Sequence, residues 1–251
     1  MNSDPKWYIV TGASSGIGRS IATTLLNRGR NVVLTSRTVS KLEDTVRDYT
    51  NDRYRIIPWD LSDLSSLNDY AKTVKEQVGV ISGLVHSAGT QKTIPLAMTT
   101  KNRIDAVFNL NSFAAMILVS LFSKNGYFNN EGTSFVLISS MAAHEGAVGK
   151  AIYGASKGAI EGFMLPAAAE LVSKKIRLNA LIAGIVETPL AEQFLSKATE
   201  EQRKALEKSY PLGFGEPEDI AEFAAFLLED TSKWITGQKF VIDGGHTVRA
   251  V

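Results

Sequence analysis

The 251-residue chain has no cysteine, which removes disulfides, thiolate nucleophiles, iron–sulfur clusters and cysteine zinc sites together. Histidine is scarce: His86, His144 and His246 are the only three, and their spacing suits no metal site. Excess charge of either sign is missing as well. With 27 basic against 26 acidic residues, the chain carries no field that would gather nucleic acid or an anionic membrane. The longest nearly apolar run, Phe113 to Phe122, is too short to span a bilayer and suits a buried helix. Met1-Asn2-Ser3-Asp4-Pro5 has neither the basic nor the apolar part of an export signal. These absences predict a soluble, cytoplasmic protein whose redox chemistry, if any, comes from an organic cofactor.

What is present is alternation. Short strand patterns at Trp7 to Val10, Asn31 to Thr35, Tyr54 to Ile57, Gly83 to Val85, Phe135 to Ile138, Arg177 to Ile182 and Lys239 to Ile242 are separated by helical patterns. Between the first two, Ile17, Ile21, Ala22, Leu25 and Leu26 recur at helical spacing, and Gly29 stops the helix. Such βαβ units predict a single-domain, doubly wound α/β fold: seven mostly parallel strands with helices on both faces. Ligands are expected at the strands' carboxyl ends. The segment from 188 to 211 is longer than an ordinary connection and is read as a substrate lid carrying Leu190, Phe194 and Leu195.

The first strand runs into Thr11-Gly12-Ala13-Ser14-Ser15-Gly16-Ile17-Gly18, which opens a helix. In that setting Gly12 permits the tight turn, Gly16 lets backbone approach a pyrophosphate, and Gly18 lets helix and strand pack closely. The helix amino terminus offers free N–H groups and positive dipole to phosphate. Farther on, Tyr153 and Lys157 stand four apart at the start of a helical segment, on one face. A phenol of pKa about 10 is a poor base at neutral pH, and a neighbouring ammonium is expected to lower that value. In the same helix Pro166 disrupts the hydrogen-bond ladder at a cost of roughly 3 kcal/mol, and a kink is expected there.

Together these motifs resemble the short-chain dehydrogenase/reductase family from Lys6 to Gly245, nearly the whole chain. The resemblance implies a Rossmann-type oxidoreductase that moves a hydride between nicotinamide and a carbonyl or secondary alcohol. It aligns Ser140, thirteen positions before Tyr153, with the residue that holds the substrate oxygen, Ser139 being the substitute. Asn111 aligns with a fourth catalytic residue, and Asn109 competes for that role. Where NAD-preferring members carry an acidic residue, this chain has Ser36 and Arg37, which favours NADP(H) because a guanidinium suits a 2′-phosphate and a carboxylate repels it. Ser14, Ser15 and Ile17 join the glycines as cofactor contacts, Ser15 offering a hydroxyl where NADP-binding relatives often carry a basic residue; Asp60 and Leu61 take the adenine; Ser87, Ala88 and Gly89 line the cofactor's middle; Gly184, Val186 and Thr188 lie near the nicotinamide.

The chain also departs from the pattern. His86 and Ser87 replace two asparagines, and the histidine is read as structural. Ala183 replaces a proline, which is expected to loosen the loop after it. His144, Val148, Leu190 and Phe194, with Ser140 and Tyr153, are the expected substrate contacts. The resemblance further implies a homotetramer or homodimer. Its substrates are small carbonyl or alcohol compounds, with carrier-bound 3-oxoacyl groups, sugars and polyols all open. Glu131 weakens the carrier reading where docking relatives present a basic residue, although Lys174 and Lys175 offset it. A non-catalytic NADP(H)-sensing regulator is the alternative from another class, and it gives no reason to keep Ser140, Tyr153 and Lys157 together.

Overall fold

The computed structural model describes residues 5–248; Met1 to Asp4, read above for an export signal, lie outside them. The first strand shows how the layers arise. In β1 (Trp7–Thr11) every residue is buried, and successive side chains point to opposite faces. Trp7 and Ile9 enter one hydrophobic cluster; Tyr8 and Val10 enter the other. The sheet is therefore sandwiched.

Elements follow in the order α1 (Gly16–Asn27), β2 (Asn31–Thr35), α2 (Val39–Val46), β3 (Tyr54–Ile56), α3 (Leu67–Val78), β4 (Gly83–His86), α4 (Lys101–Phe108) and α5 (Ala114–Phe122). They continue with β5 (Thr133–Ser140), α6 (Ala151–Leu171), β6 (Ile176–Ala183), α7 (Pro189–Leu195), α8 (Glu200–Lys208), α9 (Pro217–Leu228) and β7 (Lys239–Ile242). The sheet order is β3-β2-β1-β4-β5-β6-β7, and every pairing is parallel. The chain reverses its winding between β1 and β4, the crevice where such sheets bind ligands. Residues of α3, α5 and α6 pack on one face and those of α1, α2 and α9 on the other.

Between α4 and α5 the helix widens into a π turn over Asn109–Phe113, so that the amide of Ala114 reaches the carbonyl of Asn109. The whole run Lys101–Phe122 is long and apolar enough, by length and composition alone, to cross a bilayer. Here Ala114, Leu118, Leu121 and Phe122 are buried in the core, as the reading of Phe113 to Phe122 anticipated.

Helix α6 is continuous through Pro166, and the residues flanking the proline on its outer side are exposed. Ala183, in place of the proline, is still in the sheet, paired with Ser140 on one side and Ile242 on the other. The segment read as a lid divides. In α7 Leu195 is buried and Leu190 and Phe194 are half-buried, whereas α8 buries nothing and stands in solvent behind its Thr199–Gln202 capping box.

Candidate active site

The glycine-rich turn is shaped by contacts that exclude side chains. Gly12 has φ +68°, and a Cβ there would lie 2.9 Å from the backbone of Ala88. Gly16 has φ +51° and faces Thr188; at Gly18 a Cβ would strike the carbonyl of Gly12, so helix and strand touch directly. Ser14 and Ser15 stand at the amino terminus of α1, where Ser15 is the N-cap and its side chain makes no capping bond. Thr11 extends the cradle into β4: its hydroxyl oxygen accepts the amides of Ser87 and Ala88, each at 3.1 Å.

His86 completes that link. Its Nε2 lies 3.0 Å from the Leu110 carbonyl, which can only accept, so Nε2 carries the proton and Nδ1 accepts from the Thr11 hydroxyl at 3.3 Å. Burial, assisted by the nearby Lys157 ammonium, pulls the imidazole down to about 3 and keeps it neutral. A satisfied histidine thus ties β1, β4 and the π turn together in place of the family's amides.

Ser36 and Arg37 follow β2. Arg37 is exposed and makes no ion pair among the described residues, yet its charge reaches Asp60. Asp60 lies beyond the end of β3, held beside Ser36 by the bond from the Trp59 amide to the Ser36 carbonyl. The Ser62 hydroxyl donates to its carboxylate at 2.6 Å and holds the acid below its ordinary range; Leu61 beside it is buried.

The residues expected to react lie after β4, at the end of β5 and in the first turns of α6. Tyr153 is 7% exposed. Burial raises its phenol, and a hydrogen bond with Ser140 opposes the rise. Lys157 is buried on the next turn, donates to the Ile138 carbonyl at 2.7 Å and is pulled by burial to about 8, the Glu161 carboxylate working against the fall. This corrects the expected direction for Tyr153. The ammonium is directed at a carbonyl, and loss of hydration dominates the phenol.

Asn111 is fully buried in the π turn. Its Oδ1 accepts the Thr90 amide at 2.8 Å, and its Nδ2 donates to the Thr90 carbonyl and to Ser156, both at 3.0 Å. Its neighbour Asn109 lies on the same turn. A Cβ on Gly89 would sit 3.4 Å from Asn111 and 3.6 Å from the Lys157 ammonium, so these three residues share one wall. Ser139, the substitute for Ser140, instead donates to Glu161 at 2.5 Å.

On the far side, Gly184 packs against Asp243 and Tyr210, and Val186 is buried beside Gly215. The Thr188 hydroxyl donates to the Val186 carbonyl and accepts the Ala191 amide, both at 3.2 Å. Among the expected substrate contacts, His144 turns its Nε2 to the Glu161 carboxylate at 2.9 Å. Val148 is 98% exposed, next to Gly149, whose carbonyl accepts the Ile94 amide.

Two buried charges were not anticipated. Glu161, one turn beyond Lys157, gathers Ser139, His144 and Lys239. Lys150, three residues before Tyr153, is only 6% exposed and lies 3.9 Å from the centre of the Phe194 ring. Both stood at helical spacing from the Tyr-Lys pair, and that spacing was the available signal.

The family described as enoyl-(acyl carrier protein) reductase matches residues 12–247. Carbonyl reductase family member 4 of Xenopus laevis is 32% identical over 94% of this chain and 95% of its own. The 3-oxoacyl-(acyl-carrier-protein) reductase FabG of Thermotoga maritima is 30% identical over 99% of this chain and all of its own. A solved short-chain dehydrogenase/reductase of Brucella melitensis, of the glucose/ribitol dehydrogenase type, superposes with a TM-score of 0.88 at 28% identity, covering 97% of each chain. The chain belongs to the short-chain dehydrogenase/reductase family of oxidoreductases.

Proposed function

We propose that this protein is an NADP(H)-dependent reductase of small carbonyl compounds, running in reverse as a secondary-alcohol dehydrogenase. The observation that carries the reading is the meeting of Ser140, Tyr153 and Lys157 at the carboxyl end of the sheet, beside Gly89 and the glycine-rich turn. The cleft suits a dinucleotide: Gly12, Gly16 and Gly18 leave a cradle that side chains would fill, and Ser14, Ser15 and Ile17 stand at the amino terminus of α1 beside it. Ser36 and Arg37 support the phosphorylated cofactor, since Arg37 offers an exposed guanidinium that makes no ion pair among the described residues. Asp60 and Leu61 would border the adenine, Ser87 to Gly89 the central part, and Gly184, Val186 and Thr188 the nicotinamide.

When bound, NADPH supplies the hydride. Tyr153 then gives its proton to the carbonyl oxygen, and Ser140 holds that oxygen through its hydroxyl. Lys157 would move from the Ile138 carbonyl toward the cofactor ribose and bring positive charge to the phenol. Asn111 fixes the π turn that walls this space, and Leu190 and Phe194 of α7 close the substrate side. A homotetramer or homodimer fits the exposed Phe113 and Leu165 on the α5 and α6 side. The FabG relatives support carrier-bound 3-oxoacyl groups as one substrate class, and the exposed Glu131 opposes it.

The test is NADPH oxidation at the nicotinamide absorbance band with a panel of ketones, ketoesters and a 3-oxoacyl thioester. Tyr153→Phe is expected to keep NADPH binding and lose about 10²–10⁴ in turnover. A wild type inert to every carbonyl, or a phenylalanine variant as active as wild type, overturns the proposal.

A further inference from the structure

Lys150 is an unusual cation. It stands at the N-cap of α6, one turn before Tyr153, with only 6% of its surface exposed. Among the described residues its ammonium has two recorded neighbours that favour a charge: the Phe194 ring at 3.9 Å and the Thr93 hydroxyl, at the long distance of 3.5 Å. No carboxylate among the described residues lies within salt-bridge distance of it. The acids closest in sequence are already engaged, Glu145 with His246 at 2.8 Å and Glu161 with His144, Ser139 and Lys239.

Burying an ammonium without a counter-ion is costly, and proteins normally pair such a charge. The cost is visible here, since burial pulls Lys150 to about 8 and Lys197 on the lid adds repulsion. The position is nevertheless firmly built. Gly149 takes φ +75° where an added Cβ would lie 2.6 Å from the Thr93 side chain, and the Ile94 amide bonds its carbonyl, so the backbone delivers Lys150 to one place. The amino-terminal end of the 21-residue α6 adds positive potential at the same point. Lys150 precedes Tyr153 by three residues at the start of α6, and its ammonium lies against Phe194, the α7 residue taken above to close the substrate side.

Resting on the carbonyl-reductase reading above, we propose that Lys150 is a specificity-determining residue that binds a substrate carboxylate, making the preferred substrates small oxo acids. The Phe194 ring then serves as a stand-in for the anion. It covers the ammonium through its π face and yields that place when a carboxylate arrives, leaving the ring to pack on the substrate's carbon chain. The anion supplies the counter-charge that the protein leaves out, and Thr93 donates to its second oxygen. An uncharged substrate of the same shape strands the ammonium, and discrimination against such a substrate follows from that unpaired group.

The experiment compares 2-, 3- and 4-oxopentanoate with their methyl esters, using NADPH and the full chain. Wild type is expected to prefer at least one acid over its ester by roughly tenfold or more in kcat/KM, the size of effect that an extra charged hydrogen bond gives. Lys150→Met should abolish that preference, mainly by raising KM for the acid, and Lys150→Arg should keep much of it. The acid-to-ester ratio is read within each variant, so a general loss of activity cancels; Lys150→Gln gives the same ratio should the methionine variant not fold. Equal use of acid and ester by wild type, or a ratio unmoved by Lys150→Met, overturns the anion site while leaving the reductase reading intact. Should no carbonyl be reduced at all, the reductase reading fails. Calorimetric titration of the oxo acids into the NADP⁺-saturated protein then decides the anion site alone: binding weakened tenfold by Lys150→Met upholds it, and binding that is absent or unchanged overturns it.

Discussion

The turn between β1 and α1 and the first half of α6 border the same cleft, but they are made of different material. The turn is almost all backbone, with two glycines at positive φ, a third in contact with a carbonyl, and a threonine hydroxyl that collects two amides. The start of α6 is made of buried charge: Lys150, Lys157 and Glu161 all lie within twelve residues and are nearly hidden from solvent. A backbone site tolerates little change of shape and is indifferent to pH. A site of buried ions tolerates shape changes but depends on each partner's protonation. That contrast implies different failures when each region is perturbed.

Gly18→Ala should produce the largest effect. Its Cβ meets the Gly12 carbonyl, part of the main chain, and cannot be relieved by a side-chain rotation. Overpacking of this kind costs about 1–3 kcal/mol, so thermal melting should drop and NADPH affinity, followed by nicotinamide fluorescence, should fall with it. Normal affinity in this variant would break the comparison, for the turn would then not be rigid. Arg37→Ala should be milder, raising KM for NADPH by about tenfold, the value of one charge-assisted contact, with little change for NADH. Steady-state kinetics with both cofactors decides it, and an equal effect on both would remove Arg37 from the phosphate site.

Glu161→Gln should show the smallest effect at neutral pH and a distinct one above it. Lys157 is held near 8 by burial, with the Glu161 carboxylate opposing further loss of its proton. Removing that carboxylate lowers the lysine further. Activity that needs the ammonium is retained below its pKa and lost as pH rises through it, so the alkaline limb of the kcat/KM profile should move to lower pH. Glu161→Asp should restore the limb at least in part, which a merely structural role would not require. An unmoved limb would show that α6 does not behave as a coupled set of charges.

The fold was legible because its signals are local and repeated. Strand β2 and strand β7 were read at their observed boundaries, and β5 was read short only because Thr133, Ser134 and Ser139 are polar yet buried and Ser140 is polar and half-buried. The glycine turn was legible for a similar reason: a positive φ selects glycine, so the residue type records the backbone. The electrostatics of α6 were not legible. Spacing shows that Tyr153 and Lys157 share a face but not where the ammonium points, and the Ile138 carbonyl comes from a strand nineteen residues earlier. Val148 illustrates the same limit. An apolar residue in a loop gives no sign of facing solvent, whereas two positions later a lysine is enclosed because Gly149 and Ile94 bind the chain there.

The π turn at Asn109–Phe113 has a consequence for the helix that follows it. One added residue changes the angular phase of everything downstream by about 100°. The nine residues of α5 are therefore aimed at the core by an offset introduced upstream, and Leu118 and Phe122 would swing away from β4 and β5 if that offset were deleted. The same extra residue that gives Asn111 its place at the cleft thus works as a rotational adjuster for the interior packing, so the two cannot evolve independently.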